Sequence, residues 1–144
     1  METGEFRWVE DVLAPDLGGG DHLDNLVIAR MLYDAWSHYL EARAPDTHGT
    51  RPTVRSITVR YDREVLPGDE LRCGVRCASR SRRAFTLEQS LWRPVPRSSV
   101  ATLPVAFGTV VLVAVSASSG QPVEIPNRYW DQIEQAEGRN IPPA

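Results

Sequence analysis

Hydrophobic positions along this chain follow two periods, and the change from one to the other outlines the fold. Between Leu23 and Ala42 they recur at helical spacing: Ile28, Met31, Leu32, Ala35 and Tyr39 form a stripe that Leu23 and Val27 widen. That is one face of an α-helix. Asp21 or Asp24 can cap its start, Arg43 suits its C-terminal end, and Pro45 closes it. Elsewhere the pattern is that of strands. Phe6 to Leu13 is rich in aromatic and branched residues and precedes the helix, and residues 45–52 form a loop after it. Strands then follow over Thr53–Glu64, Glu70–Ser79, Ala84–Trp92 and Val105–Val115. Turns are expected at Leu66-Pro67-Gly68-Asp69, at the Arg80–Arg83 hairpin tip and at Ser118-Ser119-Gly120, and Arg93–Pro104 is a Pro/Ser-rich excursion. Val105–Val115 is the most continuously apolar strand and so belongs inside the sheet. Pro126 precedes a short last helix, Tyr129–Glu137. One long helix packed on one face of a curled antiparallel sheet satisfies this order, an α+β fold.

The 144 residues suit a single domain, 1–144, with one sizeable core. A hydrophobic content of 42%, a charged content of 24% and a net charge of -3 give no footprint for nucleic acid. No apolar run is long enough to span a membrane, and the N-terminus lacks a signal-peptide pattern, so a cytoplasmic location is expected. All 16 basic residues are arginine, which compositional bias explains. Cys73 and Cys77 share a strand face with Leu71 and Val75. Four strand residues span roughly 13 Å, beyond disulfide reach, so both are expected to be reduced core thiols.

Candidate chemistry concentrates in the loop Asp16-Leu-Gly-Gly-Gly-Asp-His-Leu-Asp-Asn25 that enters the helix. It puts carboxylate, imidazole and amide groups beside a helix N-terminus, whose first amides lack partners and attract negative charge. Gly-x-Ser-x-Gly is absent, and Gly18-Gly19-Gly20 has neither phosphate-loop nor dinucleotide spacing. His38 and His48 show no ligand spacing to His22, so no metal site and no cofactor are expected.

The loop and the layout resemble the hotdog-fold thioesterases of the 4-hydroxybenzoyl-CoA thioesterase-like group, whose loop has the form Asp-x-Asp-x-x-Gly-His-Val-Asn-Asn. Asp16, His22 and Asn25 match it, and Leu23 and Asp24 nearly match. Arg60–Leu71, with its Pro-Gly-Asp turn, and Gly120–Pro126 extend the likeness over nearly the whole chain. Three positions depart. Gly18 stands where the group has its usual catalytic carboxylate, Asp21 replaces the glycine before the histidine, and Tyr33-Asp34-Ala35-Trp36 replaces the group's Glu-Glu-Ala-Arg.

The resemblance implies a hotdog fold, with a curled sheet around a central helix, acting on a thioester of coenzyme A or an acyl carrier protein. It also implies a homodimer, or a tetramer, with the active site at the interface. Thioester hydrolysis needs an oxyanion site and an activated water. Amides around Asp21 to Leu23, with Gly20 and Asp24 beside them, are placed for the oxyanion. Asp16, Asp21 and His22 are the candidate bases, and Asn25 would position water or carbonyl. Asp21 and Asp24 also read as helix caps, and Asn25 as a loop-stabilising hydrogen-bonding residue. The resemblance places carrier phosphates near the third strand, where Arg80, Arg82 and Arg83 cluster; a solvated turn is the plainer reading. Arg55, Arg60 and Arg63 would add to that patch or cover a sheet face, and Tyr33, Trp36 and Trp92 would line an acyl pocket or the core. Exposed strands such as Val105–Val115 would invite the partner subunit. Two rivals stay open: a catalytically silent hotdog that binds acyl groups or shapes an assembly, and a hotdog hydratase or dehydratase using an Asp/His pair.

Overall fold

The computed structural model describes residues 6–16, 23–94 and 102–144. Its elements, in chain order, are β1 (Trp8–Leu13), α1 (Asn25–Arg43), β2 (Thr50–Tyr61), β3 (Glu70–Arg80), β4 (Ala84–Pro94), β5 (Thr102–Ser116) and α2 (Asn127–Glu137). The strands form one antiparallel sheet in the order β1-β3-β4-β5-β2. The result is α+β, a five-stranded antiparallel sheet with two helices among the described residues.

α1 lies against β3, β4 and β1, burying Ile28, Met31, Leu32, Ala35, Trp36, Tyr39 and Leu40. These side chains meet the sheet face that carries Leu71, Cys73, Val75, Cys77, Leu87, Leu91, Val110 and Leu112, all at most 2% exposed. Both cysteines are free and buried, as their spacing predicts. α2 closes one end of this core, where Phe85 meets Tyr129 at 5.9 Å and Trp130 at 5.4 Å.

Several boundaries move, each for a local reason. α1 begins two residues later than the hydrophobic stripe, because Asp24 is the cap and its carboxylate accepts the Leu26 N–H at 2.7 Å. β2 starts at Thr50, inside the expected loop, because residues through Pro52 pair with the end of β5. Pro52 fits there because β2 is an edge strand, where a missing donor can be spared. A bulge between Val54 and Ser56 then shifts the alternation, so Pro52 and Val54 share the α1 side with Ile57, Val59 and Tyr61. The excursion contracts as well: β4 runs to Pro94 and β5 starts at Thr102, with residues 95–101 outside the described set. β5 is interior, as its apolar run predicts, but it is therefore not an exposed strand; the free edges belong to β1 and β2.

The other sheet face is partly covered from the N-terminal side. Phe6 folds over Gly74 and stacks on Trp92, with ring centroids 6.4 Å apart. A Cβ on Gly74 would come within 2.5 Å of the Phe6 ring, so only glycine admits this contact. Trp92, for which the sequence allowed an acyl pocket or the core, is buried under Phe6 on the face away from α1.

A buried carboxylate joins α2 to the rest. Glu137 accepts the Tyr39 hydroxyl from α1, the Cys77 N–H from β3 at 2.7 Å, and the Arg139 guanidinium at 3.0 Å. Burial and the neighbouring Glu137 push the Tyr39 hydroxyl far above its ordinary range. Burial, then Glu137, raises the Cys77 thiol from 9.0 to about 12. Because the folded state holds that proton more tightly, its contribution is complete below 9.0 and is lost as pH rises toward about 12. Glu137→Ala and Tyr39→Phe should each destabilise the fold by about 1–3 kcal/mol in urea titrations. Because they share one interaction, the double variant should cost less than the sum. Iodoacetamide at pH 8 should label neither cysteine in the native protein; labelling of either under native conditions would contradict the burial described.

Candidate functional site

The loop that enters α1 is held at both ends by one turn. The Ala14 N–H donates to the Asp69 carbonyl at 2.8 Å, the Gly68 N–H returns to the Ala14 carbonyl at 3.1 Å, and the Leu23 N–H donates to the Val65 carbonyl at 2.7 Å. The turn is itself locked. Gly68 takes a φ of +81° that favours glycine, and the Asp69 carboxylate accepts the Leu66 N–H at 2.9 Å and the Arg93 guanidinium at 2.6 Å. Asp16, Leu23, Asp24 and Asn25 are thereby brought to one end of the molecule, with Asp16, Asp24 and Asn25 exposed. Gly18, Gly20, Asp21 and His22 lie outside the described residues.

Amide use at this helix start is specific. The Leu23 N–H, expected to face an oxyanion, is committed to Val65. Asp24 Oδ1 takes the Leu26 N–H, and the Asp24 carbonyl takes those of Val27 and Ile28. Among the described residues no acceptor reaches the N–H of Asp24 or Asn25, at the positive end of the dipole.

Beside them is a cleft of about 290 Å³ lined by Leu23, Asn25, Ile28, Tyr61, Asp62, Arg63 and Glu64. Tyr61 donates its hydroxyl to the Asn25 carbonyl at 3.2 Å, tying β2 to the helix start. Asp62 is held by Arg60 at 3.0 Å, and Arg63 donates to the Pro104 carbonyl. Glu64 contributes a cleft carboxylate with no side-chain partner among the described residues. Sequence reasoning passed over Tyr61 and Glu64. Both fall within the Arg60–Leu71 stretch that carries part of the resemblance, but no spacing rule ties them to so distant a helix start, 36 residues from Tyr61.

The arginine cluster stands elsewhere. Arg80, Arg82 and Arg83 sit at the β3–β4 hairpin, whereas α1 starts beside the turn that precedes β3. The 11 residues of β3 separate the two ends by roughly 30 Å within one chain. Arg80 pairs with Glu134 at 3.7 Å and lies 5.1 Å from the Trp130 ring centre, and Arg82 pairs with Glu124. The Arg82 hydrogen bond and charge, with Arg83 nearby, hold the Glu124 carboxyl below its ordinary range. Arg60 and Arg63 belong to the α1-start end and not to this cluster. His38 is occupied with Glu10 at 3.1 Å, and among the described residues no group of three or more potential ligands could hold a metal.

A family model described as the thioesterase-like superfamily matches residues 16–133. The chain belongs to that superfamily. Its matched span runs from the loop carboxylate Asp16 through α1 and β2 to β5 into α2, leaving out β1. Among solved structures, a thioesterase of Thermus thermophilus complexed with coenzyme A and zinc is 26% identical. The alignment covers 90% of this chain and 94% of that one, with a TM-score of 0.69. A thioesterase-superfamily protein of Jannaschia sp. CCS1 is 17% identical over 94% of this chain and 86% of its own, with a TM-score of 0.77. A 1,4-dihydroxy-2-naphthoyl-CoA thioesterase of Synechocystis is 11% identical over 87% and 93%, with a TM-score of 0.70. These last two likenesses are of fold. No curated protein is significantly similar to the chain in sequence.

Since Asp69 holds both the turn and Arg93, Asp69→Ala should loosen the support of this superfamily's helix start. The expected cost is about 1–3 kcal/mol in chemical denaturation. Amide exchange should quicken at Leu66, whose N–H loses its acceptor.

Proposed function

We propose that this protein, folded over residues 1–144 as one hotdog domain with α1 at its centre, hydrolyses an acyl thioester of coenzyme A or an acyl carrier protein. The observation that carries this reading is the helix start. Two amides with no acceptor among the described residues, those of Asp24 and Asn25, stand at a dipole's positive end beside a cleft, in a chain of the thioesterase-like superfamily. The coenzyme A bound in the Thermus relative supports a coenzyme A thioester as substrate.

In this reading the oxyanion of the tetrahedral intermediate rests on those amides, with Gly20 and Leu23 shaping the approach. A loop carboxylate, Asp16 or Asp21, takes the proton of the attacking water, with His22 and Asn25 positioning water and carbonyl. The thiolate of the carrier leaves and is protonated. Glu64 is a further carboxylate lining the same cleft. Arg80, Arg82 and Arg83 are too far along β3 to serve the same chain's helix start, so any carrier phosphates they bind belong to a site shared with a second subunit. The unpaired edge of β2, 12 residues long and adjacent to the cleft through Tyr61, supports a homodimer.

The test is thiol release from short, long and aromatic acyl-CoAs by wild type, Asp16→Asn, Asp21→Asn and Glu64→Gln. Removing the base should lower kcat by about 10²–10⁴ with little change in KM. Release by wild type that none of the three variants diminishes would remove these carboxylates from the mechanism. No release from any acyl-CoA or acyl carrier protein would favour the silent acyl-binding reading, to which Gly18 at the usual carboxylate position already points.

A further inference from the structure

The two amides of Asp24 and Asn25 lie between peptide groups that are themselves tied. On one side the Leu23 N–H is bound to the Val65 carbonyl at 2.7 Å. On the other, the Asn25–Leu26 peptide is held at both of its polar atoms. Its N–H goes to Asp24 Oδ1 at 2.7 Å, and its carbonyl accepts the Tyr61 hydroxyl at 3.2 Å. A helix carbonyl uses one lone pair for the amide four residues on and has a second to offer, so the tyrosine takes nothing from the helix. Each residue has only two soft dihedrals. Tying the peptides on both sides of Asp24 and Asn25 therefore leaves the amides between them little freedom of direction.

These ties differ in what they refer to. The Asp24 carboxylate belongs to the helix start and moves with it, whereas the Tyr61 hydroxyl reaches the helix from the sheet. Tyr61 is the last residue of β2 and stands opposite Ala106 of β5. The next two amides, of Asp62 and Arg63, both donate to the Val105 carbonyl, at 2.8 and 3.1 Å, and Val105 is 0% exposed. The base of the tyrosine is thus fixed to an interior strand. Tyr61 is 38% exposed, so water can satisfy the Asn25 carbonyl in place of the hydroxyl. Water would leave that carbonyl satisfied but no longer referred to the sheet. The hydroxyl accordingly matters little to stability and more to direction. An oxyanion donor works only when aimed at the place where charge develops, and a misplacement of about 1 Å can cost about 10²-fold in rate.

We propose that Tyr61 is a positioning residue, whose hydroxyl acts through the Asn25 carbonyl to aim the Asp24 and Asn25 amides at the oxyanion. This rests on the thioester reading above. The Tyr61 ring also lines the cleft, and Tyr61→Phe separates the two roles because it keeps the ring and its packing. The oxyanion develops only on the way to the tetrahedral intermediate, so a misaimed donor lowers kcat and leaves ground-state binding alone.

The experiment compares wild type with Tyr61→Phe in two measurements. In thiol release from the acyl-CoA that wild type turns over best, the variant should lose about 10- to 100-fold in kcat with KM unchanged. In amide hydrogen exchange on the substrate-free protein, Leu26 should exchange faster in the variant, while amides of β3 and β4 keep their wild-type rates. An unchanged kcat, or a loss carried by KM, overturns the proposal while leaving hydrolysis intact. Exchange that is equal at Leu26, or faster throughout the sheet, overturns it as well. If wild type releases thiol from no acyl-CoA, the thioester reading fails and exchange alone decides whether Tyr61 sets the helix start. Quickening confined to the first turn of α1 then supports the positioning role, and equal exchange overturns it.

Discussion

Burial of one broad face of α1 against the inner face of the sheet is the constraint on which the rest depends. Leu32, Ala35, Trp36 and Tyr39 reach the sheet only if β3 and β4 present Leu71, Cys73, Val75, Leu87 and Leu91 in step, and the bulges keep that register while the sheet bends. Apolar burial of this kind stabilises by about 25 cal/mol per Å² and has no preferred direction. It therefore sets where the helix lies but not what its N-terminus faces. The directional part comes from a few hydrogen bonds at the Val65–Asp69 turn, which hold both ends of the glycine-rich loop beside the cleft.

Periodicity made the architecture readable. The α1 stripe, the alternation in β3 and β4, and the apolar run of β5 all reflect burial, and burial is what hydrophobic spacing records. The boundaries that moved are ones decided by single polar contacts or pairings: the Asp24 cap, the pairing of Pro52 on an edge, the extra residue at the β2 bulge. None of these changes the hydrophobic pattern enough to be seen from it. The expectation of an exposed β5 failed because strand order is set by long-range pairing, and one apolar run reads alike whether its neighbours are present or absent.

The candidate site was readable to a lesser degree. Asp16, Leu23, Asp24 and Asn25 do share one end of the molecule, because they are close in sequence and lead into one helix. Tyr61 and Glu64 were passed over for the opposite reason: they reach the start of α1 only through the fold of the sheet. At the β3–β4 hairpin, charge density looks the same in sequence whether it faces a ligand or the protein's own carboxylates; Arg80 and Arg82 pair with Glu134 and Glu124.

The Glu137 junction has a consequence for how this protein comes apart. A last helix at a chain's end ordinarily frays on its own, well before the core opens. Here its final carboxylate is shared by a tyrosine of α1 and an amide of β3, so α2 cannot lift away without stripping partners from the deepest layer of the sheet. The chain's end is thereby coupled to its middle, and the Cys77 amide becomes a single-site gauge of whether this protein opens piecemeal or all at once.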